Sequence, residues 1–333
     1  MGGQCGKILN IKALSLFSGG LDSILAARLI LEQGIAVSAL TFETPFFNAG
    51  KARKAAELIG IPLIALDFTD EHLAMLKAPR YGYGKNMNPC IDCHALMLKT
   101  AGKRMEEAGA DFLFTGEVLG QRPMSQTKQS LHVVAKLSGY EGYILRPLSA
   151  RLLPETIPEQ EGTVDRERLL DITGKSRKRQ IHMAGEYGMT DYAAPAGGCL
   201  LTDPMFSRRL KDLFHHHPGH TIRDIELLKS GRHLRFDEET KVIVGRNKRD
   251  NETIERLVEP DDMALTMTQY PGPLTLIPRG CSDDKLHRAA AICAMYSDAP
   301  GNERVTVRYV TGDSEGFLDV MAAEKADVEK LMI

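Results

Sequence analysis

Apolar positions in the first 115 residues fall into short runs that alternate with helical stripes. Residues 13–17 form an apolar run that stops at Ser18-Gly19-Gly20, which predicts a buried strand entering a glycine turn. In residues 22–33 the period changes. Ile24, Leu25, Leu29 and Leu31 recur among polar neighbours as on one helix face, and Gly34 closes the segment. The same alternation predicts a strand at 35–42, a helix at 51–59 closed by Gly60, and a strand at 61–68. A helix at 95–108 ending at Gly109 and a strand at 111–115 complete the series. Strands that alternate with helices imply an α/β domain whose parallel sheet is covered on both faces. Ligands in such sheets bind at the carboxyl ends of the strands.

After about residue 200 the pattern is different. Residues 205–230 look helical but are broken by His215-His216-His217-Pro218-Gly219. Residues 231–236 and 241–244 alternate like hairpin strands, and 274–277 and 305–310 read as further strands. An amphipathic helix at 286–296 lies between the last two, so a smaller α+β domain is expected. The expected division is a nucleotide-type domain at 1–202, a helical linker at 203–230 and the α+β domain at 231–333.

Composition narrows the class of protein. The 333 residues are 43% hydrophobic and 26% charged with a net charge of −2, which excludes a disordered chain or a globally basic nucleic-acid binder. Contact with a polyanion must then use local patches. Residues 205–249 carry eleven Lys/Arg against six Asp/Glu, and Lys175-Ser176-Arg177-Lys178-Arg179 is a second basic cluster. No apolar run is long enough to span a bilayer, and residues 1–12 lack the apolar stretch of a signal peptide. A soluble cytoplasmic protein without a membrane partner is expected. Thiols stay reduced in that compartment, so closely spaced cysteines point to metal or redox chemistry.

The segment Ser18-Gly19-Gly20-Leu21-Asp22-Ser23 carries the sharpest chemical signal. Its glycines let backbone approach an anion, and the first helical N–H groups with the Ser18 and Ser23 hydroxyls are placed to hold it. The Walker A and Rossmann glycine patterns are both absent. SGGLDS at the end of a first strand resembles the PP-loop family, which splits ATP between the α and β phosphates and adenylates a substrate. This resemblance implies an adenine nucleotide α-hydrolase-like fold, with pyrophosphate held by Ser18, Gly19, Gly20 and Ser23. It also implies magnesium positioned by Asp22, and adenine bordered by residues around Thr41 and Phe42. The stretch Thr115-Gly116-Glu117-Val118-Leu119-Gly120-Gln121 looks like that of tRNA 4-thiouridine synthetases. The resemblance adds Gly116 and Gln121 to the nucleotide site, and Arg122 and Lys128 as counter-charges to phosphate.

Asn88-Pro89-Cys90-Ile91-Asp92-Cys93-His94 places two thiols three residues apart, just ahead of a helix expected to start near His94 and to lower their pKa. Cys199 lies in the glycine-rich segment 195–200, expected to be a flexible, exposed loop. The region resembles tRNA 2-thiouridylases, in which two cysteines matching Cys93 and Cys199 are catalytic. Cys90 is additional, and three such cysteines resemble the iron–sulfur subgroup of tRNA thiolases, where three thiolates hold a [4Fe–4S] cluster. Three readings stay open: a cluster on Cys90, Cys93 and Cys199; a persulfide relay between Cys93 and Cys199; and a zinc site or inert pair. Cys293 reads as core, whereas Cys5 and Cys281 lack partners at useful spacing.

His215, His216, His217 and His220 are read as a solvated turn near RNA phosphate, because no cysteine or carboxylate frames them in the sequence. From Gly231 onward the chain resembles the RNA-binding module of NFACT proteins, on Val242-Ile243-Val244-Gly245-Arg246-Asn247, Asn251-Glu252 and Tyr270-Pro271-Gly272. The resemblances together imply an ATP-dependent tRNA sulfurtransferase that forms AMP and pyrophosphate. The sulfur donor would be hydrosulfide or a persulfide carrier, and a homodimer is compatible with them. Sulfur transfer to a small molecule or cofactor precursor, and a non-enzymatic RNA-binding protein, are the rival readings.

Overall fold

The computed structural model describes residues 11–189, 192 and 199–333. The chain forms two compact units, 1–202 and 203–333.

In the first unit five parallel strands make one sheet in the order β3-β2-β1-β4-β5. They are β1 (Lys12–Leu16), β2 (Ala36–Glu43), β3 (Leu63–Asp67), β4 (Phe112–Thr115) and β5 (Ile144–Leu145). The helices are α1 (Leu21–Leu31), α2 (Gly50–Ile59), α3 (Thr69–Lys77), α4 (Cys90–Ala108), α5 (Lys128–Ser138), α6 (Ile157–Gln160) and α7 (Lys178–Glu186). The period-two pattern of β4 shows why both faces are covered. Phe112 and Phe114 join Phe17, Ile24 and Leu25 in one core. Leu113, between them, joins Leu14, Leu40 and Leu98 in the other. Chain progress from β1 to β3 goes one way and then reverses to β4, so the switch point lies between β1 and β4. Leu16 pairs with Thr115 there, bringing the loops after both strands to one edge.

Helices α3, α5, α6 and α7 and strand β5 lie outside the sequence expectations. For α5 the signal was present. Leu131, Val134, Ala135 and Ser138 are buried at helical spacing, Thr127 caps the start by accepting from Ser130 N–H, and Gly139 closes the end in the left-handed conformation. Helix α4 begins at Cys90, four residues before the expected start.

The second unit is an antiparallel sheet in the order β11-β10-β8-β9-β7-β6. Its helices are α8 (Pro204–His216), α9 (Ile222–Leu227), α10 (Lys248–Glu255), α11 (Asp283–Met295) and α12 (Lys325–Glu329). Its strands are β6 (Arg232–Arg235), β7 (Lys241–Val244), β8 (Met263–Met267), β9 (Thr275–Ile277), β10 (Val305–Thr311) and β11 (Ser314–Val320). On one face α11 packs Leu286, Ala290 and Cys293 against Leu234, Val242 and Leu265. On the other, Leu227 of α9 and Ile254 of α10 cover Ile243 and Leu276. Residues 203–230, expected as a linker, are built into this unit. Buried Arg209 donates to the Leu228 and Gly231 carbonyls, and Arg235 grips Asp212 with two bonds of 3.0 and 2.6 Å.

Candidate active site

The loop after β1 enters α1 with Gly20 as its N-cap and no side chain capping the first turn. The opening N–H groups of an 11-residue helix are left to an external acceptor. Gly19 is in the left-handed region at φ 70°, and a side chain there would run into the Lys51 carbonyl. Ser23 is buried and its hydroxyl donates to the Gly20 carbonyl at 2.8 Å, so it shapes the loop. The Ser18 hydroxyl lies 3.4 Å from that of Ser23.

Asp22 is held from two directions. Gln121 Nε2 donates to its Oδ2 at 2.7 Å, and an Arg177 guanidinium nitrogen reaches Oδ1 at 3.4 Å. Gln121 is itself positioned by fully buried Gln180, which donates to it at 3.0 Å. Arg177 was expected in a basic RNA-facing cluster. Instead it faces the phosphate loop with its buried Nε lacking a hydrogen-bond partner. Arg179 turns outward to pair with Asp171 at 2.8 Å.

Gly116 has a packing role at the loop. A Cβ there would lie 2.5 Å from Ser23 N, so this glycine lets the chain after β4 close onto the first turn of α1. Thr41 is buried near the end of β2. The Phe42 side chain is core, with its ring 4.6 Å from that of Phe68.

Glu117, two residues past β4, connects this loop to the cysteine helix. One carboxylate oxygen lies 3.0 Å from His94 Nδ1 on α4, and the other accepts from Arg146 Nε at 3.0 Å. Burial alone would raise its pKa, but Arg146 and His94 outweigh it and hold the carboxyl at about 2. This buried triad fixes the start of α4 at the carboxyl edge. Glu117 lies in the Thr115–Gln121 stretch and His94 in the cysteine motif, but no sequence signal links them to each other or to Arg146, since the partners are 23 and 29 positions apart.

Cys90 and Cys93 occupy the first turn of α4. Asp92 between them accepts from the Arg80 and Tyr81 N–H groups, while Asn88 Nδ2 reaches Cys90 Sγ at 3.3 Å. The Cys199 segment is anchored rather than free: Leu200 N donates to the Phe46 carbonyl and Asn86 Nδ2 to the Thr202 carbonyl. Residues 193–198 lie outside the described residues, as does Cys5. Cys199 is half-buried and Cys93 buried, and all three thiols are free. The expected lowering of their pKa by the helix end is not found at Cys93. Burial pushes that thiol well up, and Cys199, Cys90 and Asp92 push it further. Burial likewise takes Cys199 to about 11, with Cys90 adding to the rise and Leu201 N–H and Arg122 opposing it. The three sulfurs therefore share one electrostatic neighbourhood.

Comparison with known proteins agrees with this layout. Residues 9–151 match the family model of the thiamine biosynthesis protein ThiI, and residues 231–332 match that of the NFACT protein RNA binding domain. The chain thus joins a segment similar to ThiI to one similar to the NFACT RNA-binding domain. The chain is also similar to the tRNA-specific 2-thiouridylase MnmA of Clostridium acetobutylicum, 35% identical over 127 residues. That match covers 32% of this chain and 36% of the relative, so the chain spans about a third of that relative's length. A solved 4-thiouridine synthetase–RNA complex with bound ATP is 23% identical, covering 58% of this chain and 45% of its own, at a TM-score of 0.40. The C-terminal part of a fibronectin/fibrinogen-binding protein from Streptococcus suis is 12% identical, covering 73% of this chain and 99% of its own, at a TM-score of 0.29. At these scores both are remote likenesses. Among the described residues, no helix is long and apolar enough to cross a membrane.

Proposed function

We propose that the chain is an ATP-dependent tRNA sulfurtransferase. The observation that carries this reading is the junction at Glu117, where one carboxyl edge bears both the SGGLDS loop and the helix that presents Cys90 and Cys93. A base carbonyl oxygen attacks the α-phosphorus of ATP, the α–β bridge breaks, and pyrophosphate leaves. Hydrosulfide then adds to the activated carbon and the C–O bond breaks to release AMP. The sum exchanges oxygen for sulfur with no net redox change. ATP is required because the carbonyl oxygen is a poor leaving group and AMP a good one.

The chain's own residues have separable tasks in this scheme. Uncapped α1 N–H groups and Arg177 neutralise the departing pyrophosphate. Asp22, oriented by Gln121, would help to position Mg2+. Thr41 borders the adenine by its backbone. Cys90 pushes up the thiol pKa of both Cys93 and Cys199, so the three lie close enough to share a metal, whose coordination would remove their protons. Cys90, Cys93 and Cys199 would hold a [4Fe–4S] cluster, which supplies an open iron for sulfide. The NFACT-type module would grip the tRNA. The reading is tested by AMP and pyrophosphate release from ATP by the purified chain with sulfide and tRNA. Release that needs tRNA and is lost in Asp22→Ala supports it, and tRNA-independent release of equal rate in both proteins contradicts it.

A further inference from the structure

We propose that His215, His216 and Glu238 form a zinc-class metal site that clasps the end of α8 to the turn between β6 and β7. Ligand atoms of the three side chains lie within 4.8 Å of one another. They come from two elements, because Glu238 belongs to the turn joining Arg232–Arg235 to Lys241–Val244. No carboxylate frames these histidines in the sequence, and the fold brings one in from 22 residues downstream of His216.

The state of His216 is the second, independent observation. Glu238 Oε2 lies 2.9 Å from its Nδ1 but off the line a hydrogen bond needs, so this buried nitrogen has no hydrogen-bond partner. A lone pair and a carboxylate facing each other in this way are bridged naturally by a cation. The other ring nitrogen faces Asp212 Oδ1 at 3.7 Å. Arg235 and Lys241 (3.0 Å) hold that carboxylate in place. Metal-binding imidazoles usually give their second N–H to such a carboxylate, which fixes the tautomer. A cation here also sits at the carboxyl end of a 13-residue helix, where the dipole favours it.

Two imidazoles and one carboxylate select zinc or a similar transition ion over magnesium or calcium. Tetrahedral zinc holds such ligand atoms about 3.3–3.5 Å apart. His215 and Glu238 are exposed and free to rotate the remaining distance, and water completes the shell. His217 and His220 are engaged elsewhere. His217 Nε2 lies 3.9 Å from Asp224, and the His220 ring stacks on Phe214 at 4.7 Å with its Nδ1 on the His217 carbonyl. Helix α8 lies outside the NFACT-matched segment 231–332, so the metal would pin an added element onto that module.

The test is Zn2+ titration of the full-length chain against a competing chromophoric chelator, followed by Co2+ substitution. Cys90, Cys93 and Cys199 can also take zinc, so the readout is a difference between variants. Glu238→Ala and His215→Ala are each expected to bind one zinc fewer per chain than wild type, with unchanged circular dichroism. The wild-type-minus-Glu238→Ala cobalt spectrum should show visible d–d bands without near-ultraviolet thiolate charge transfer. Asp212→Asn should keep the stoichiometry and weaken affinity by about 10–100-fold. Equal zinc content in wild type and Glu238→Ala, or thiolate charge transfer in the difference spectrum, would overturn the proposal.

Discussion

Arg177 meets the carboxylate of Asp22 at 3.4 Å across 155 residues of chain. This contact takes Arg177 out of the basic run around it and into the phosphate site. Arg177→Ala should slow pyrophosphate release by about 100-fold, the scale of losing one preorganised charge contact at a developing anion. It should leave the salt dependence of tRNA binding unchanged. The double variant Lys175→Ala/Lys178→Ala should do the reverse, flattening the salt slope while preserving turnover on saturating tRNA. Filter binding across a salt series, with pyrophosphate release on the same proteins, separates the two. An unchanged rate in Arg177→Ala would remove it from the site.

Gly116 is expected to be intolerant of even one methyl group. Its Cβ would lie 2.5 Å from Ser23 N and 2.6 Å from Ser23 Cα, which are backbone atoms and cannot swing away. Gly116→Ala should destabilise the first unit by about 1–3 kcal/mol and weaken ATP binding, because the α1 N-terminus must shift. Gly34→Ala has open space and pays only for its left-handed backbone, so it should leave ATP affinity intact. Thermal melting and ATP titration of both variants check this, and equal ATP affinities would contradict it.

Acid sensitivity should trace partly to His72. It is fully buried beside Phe46, Phe47 and Phe68, and neither ring nitrogen has a hydrogen-bond partner. Burial lowers its pKa from 6.5 to about 4. Because the folded pKa is depressed, the unfolded chain binds more protons between these values. Stability is then complete above pH 6.5 and falls as pH drops towards 4, by about 2 kcal/mol at pH 5. His72→Phe should raise the melting temperature more at pH 5 than at pH 8. Glu117, held at about 2, acts in a lower window: its stabilisation is present above about 4.5 and is lost as pH falls towards 2. A pH-independent difference between wild type and His72→Phe would show that His72 is not the sensor.

The three-thiol site separates a cluster from a relay by chemical analysis. Anaerobically prepared protein should contain about four irons per chain. Cys90→Ala, Cys93→Ala and Cys199→Ala should each lose iron and thiolation yet keep ATP binding. Cys281→Ala and Cys293→Ala should keep both, since Cys293 is core and Cys281 sits in the second unit. An active, iron-free Cys90→Ala alongside dead Cys93→Ala and Cys199→Ala would favour a persulfide relay.

What the sequence made legible was contiguous. Ser18–Ser23 works as one turn, and the strand before it and the helix after it carry their own periodicities, so the parallel sheet and the phosphate loop could be read together. Cys90 and Cys93 were visible for the same reason. The unread part is assembled from distant residues. Glu117 and His94 lie within recognisable motifs and Arg146 does not, and nothing local links the three, whose pairing forms only at the sheet edge. Arg177 was hidden among three cationic neighbours, because charge runs look alike until a fold turns one member inward. At Cys93 the thiol pKa rises instead of falling, because burial, invisible in a local motif, outweighs the helix end.

The central claim is that this chain replaces a tRNA carbonyl oxygen with sulfur at the expense of ATP. Its most direct test is mass spectrometry of tRNA nucleosides from a strain lacking the chain, complemented with wild type or with Asp22→Ala. One thiolated nucleoside should vanish in the deletion, return with wild type and stay absent with Asp22→Ala. A nucleoside profile that is identical in all three strains would contradict the account.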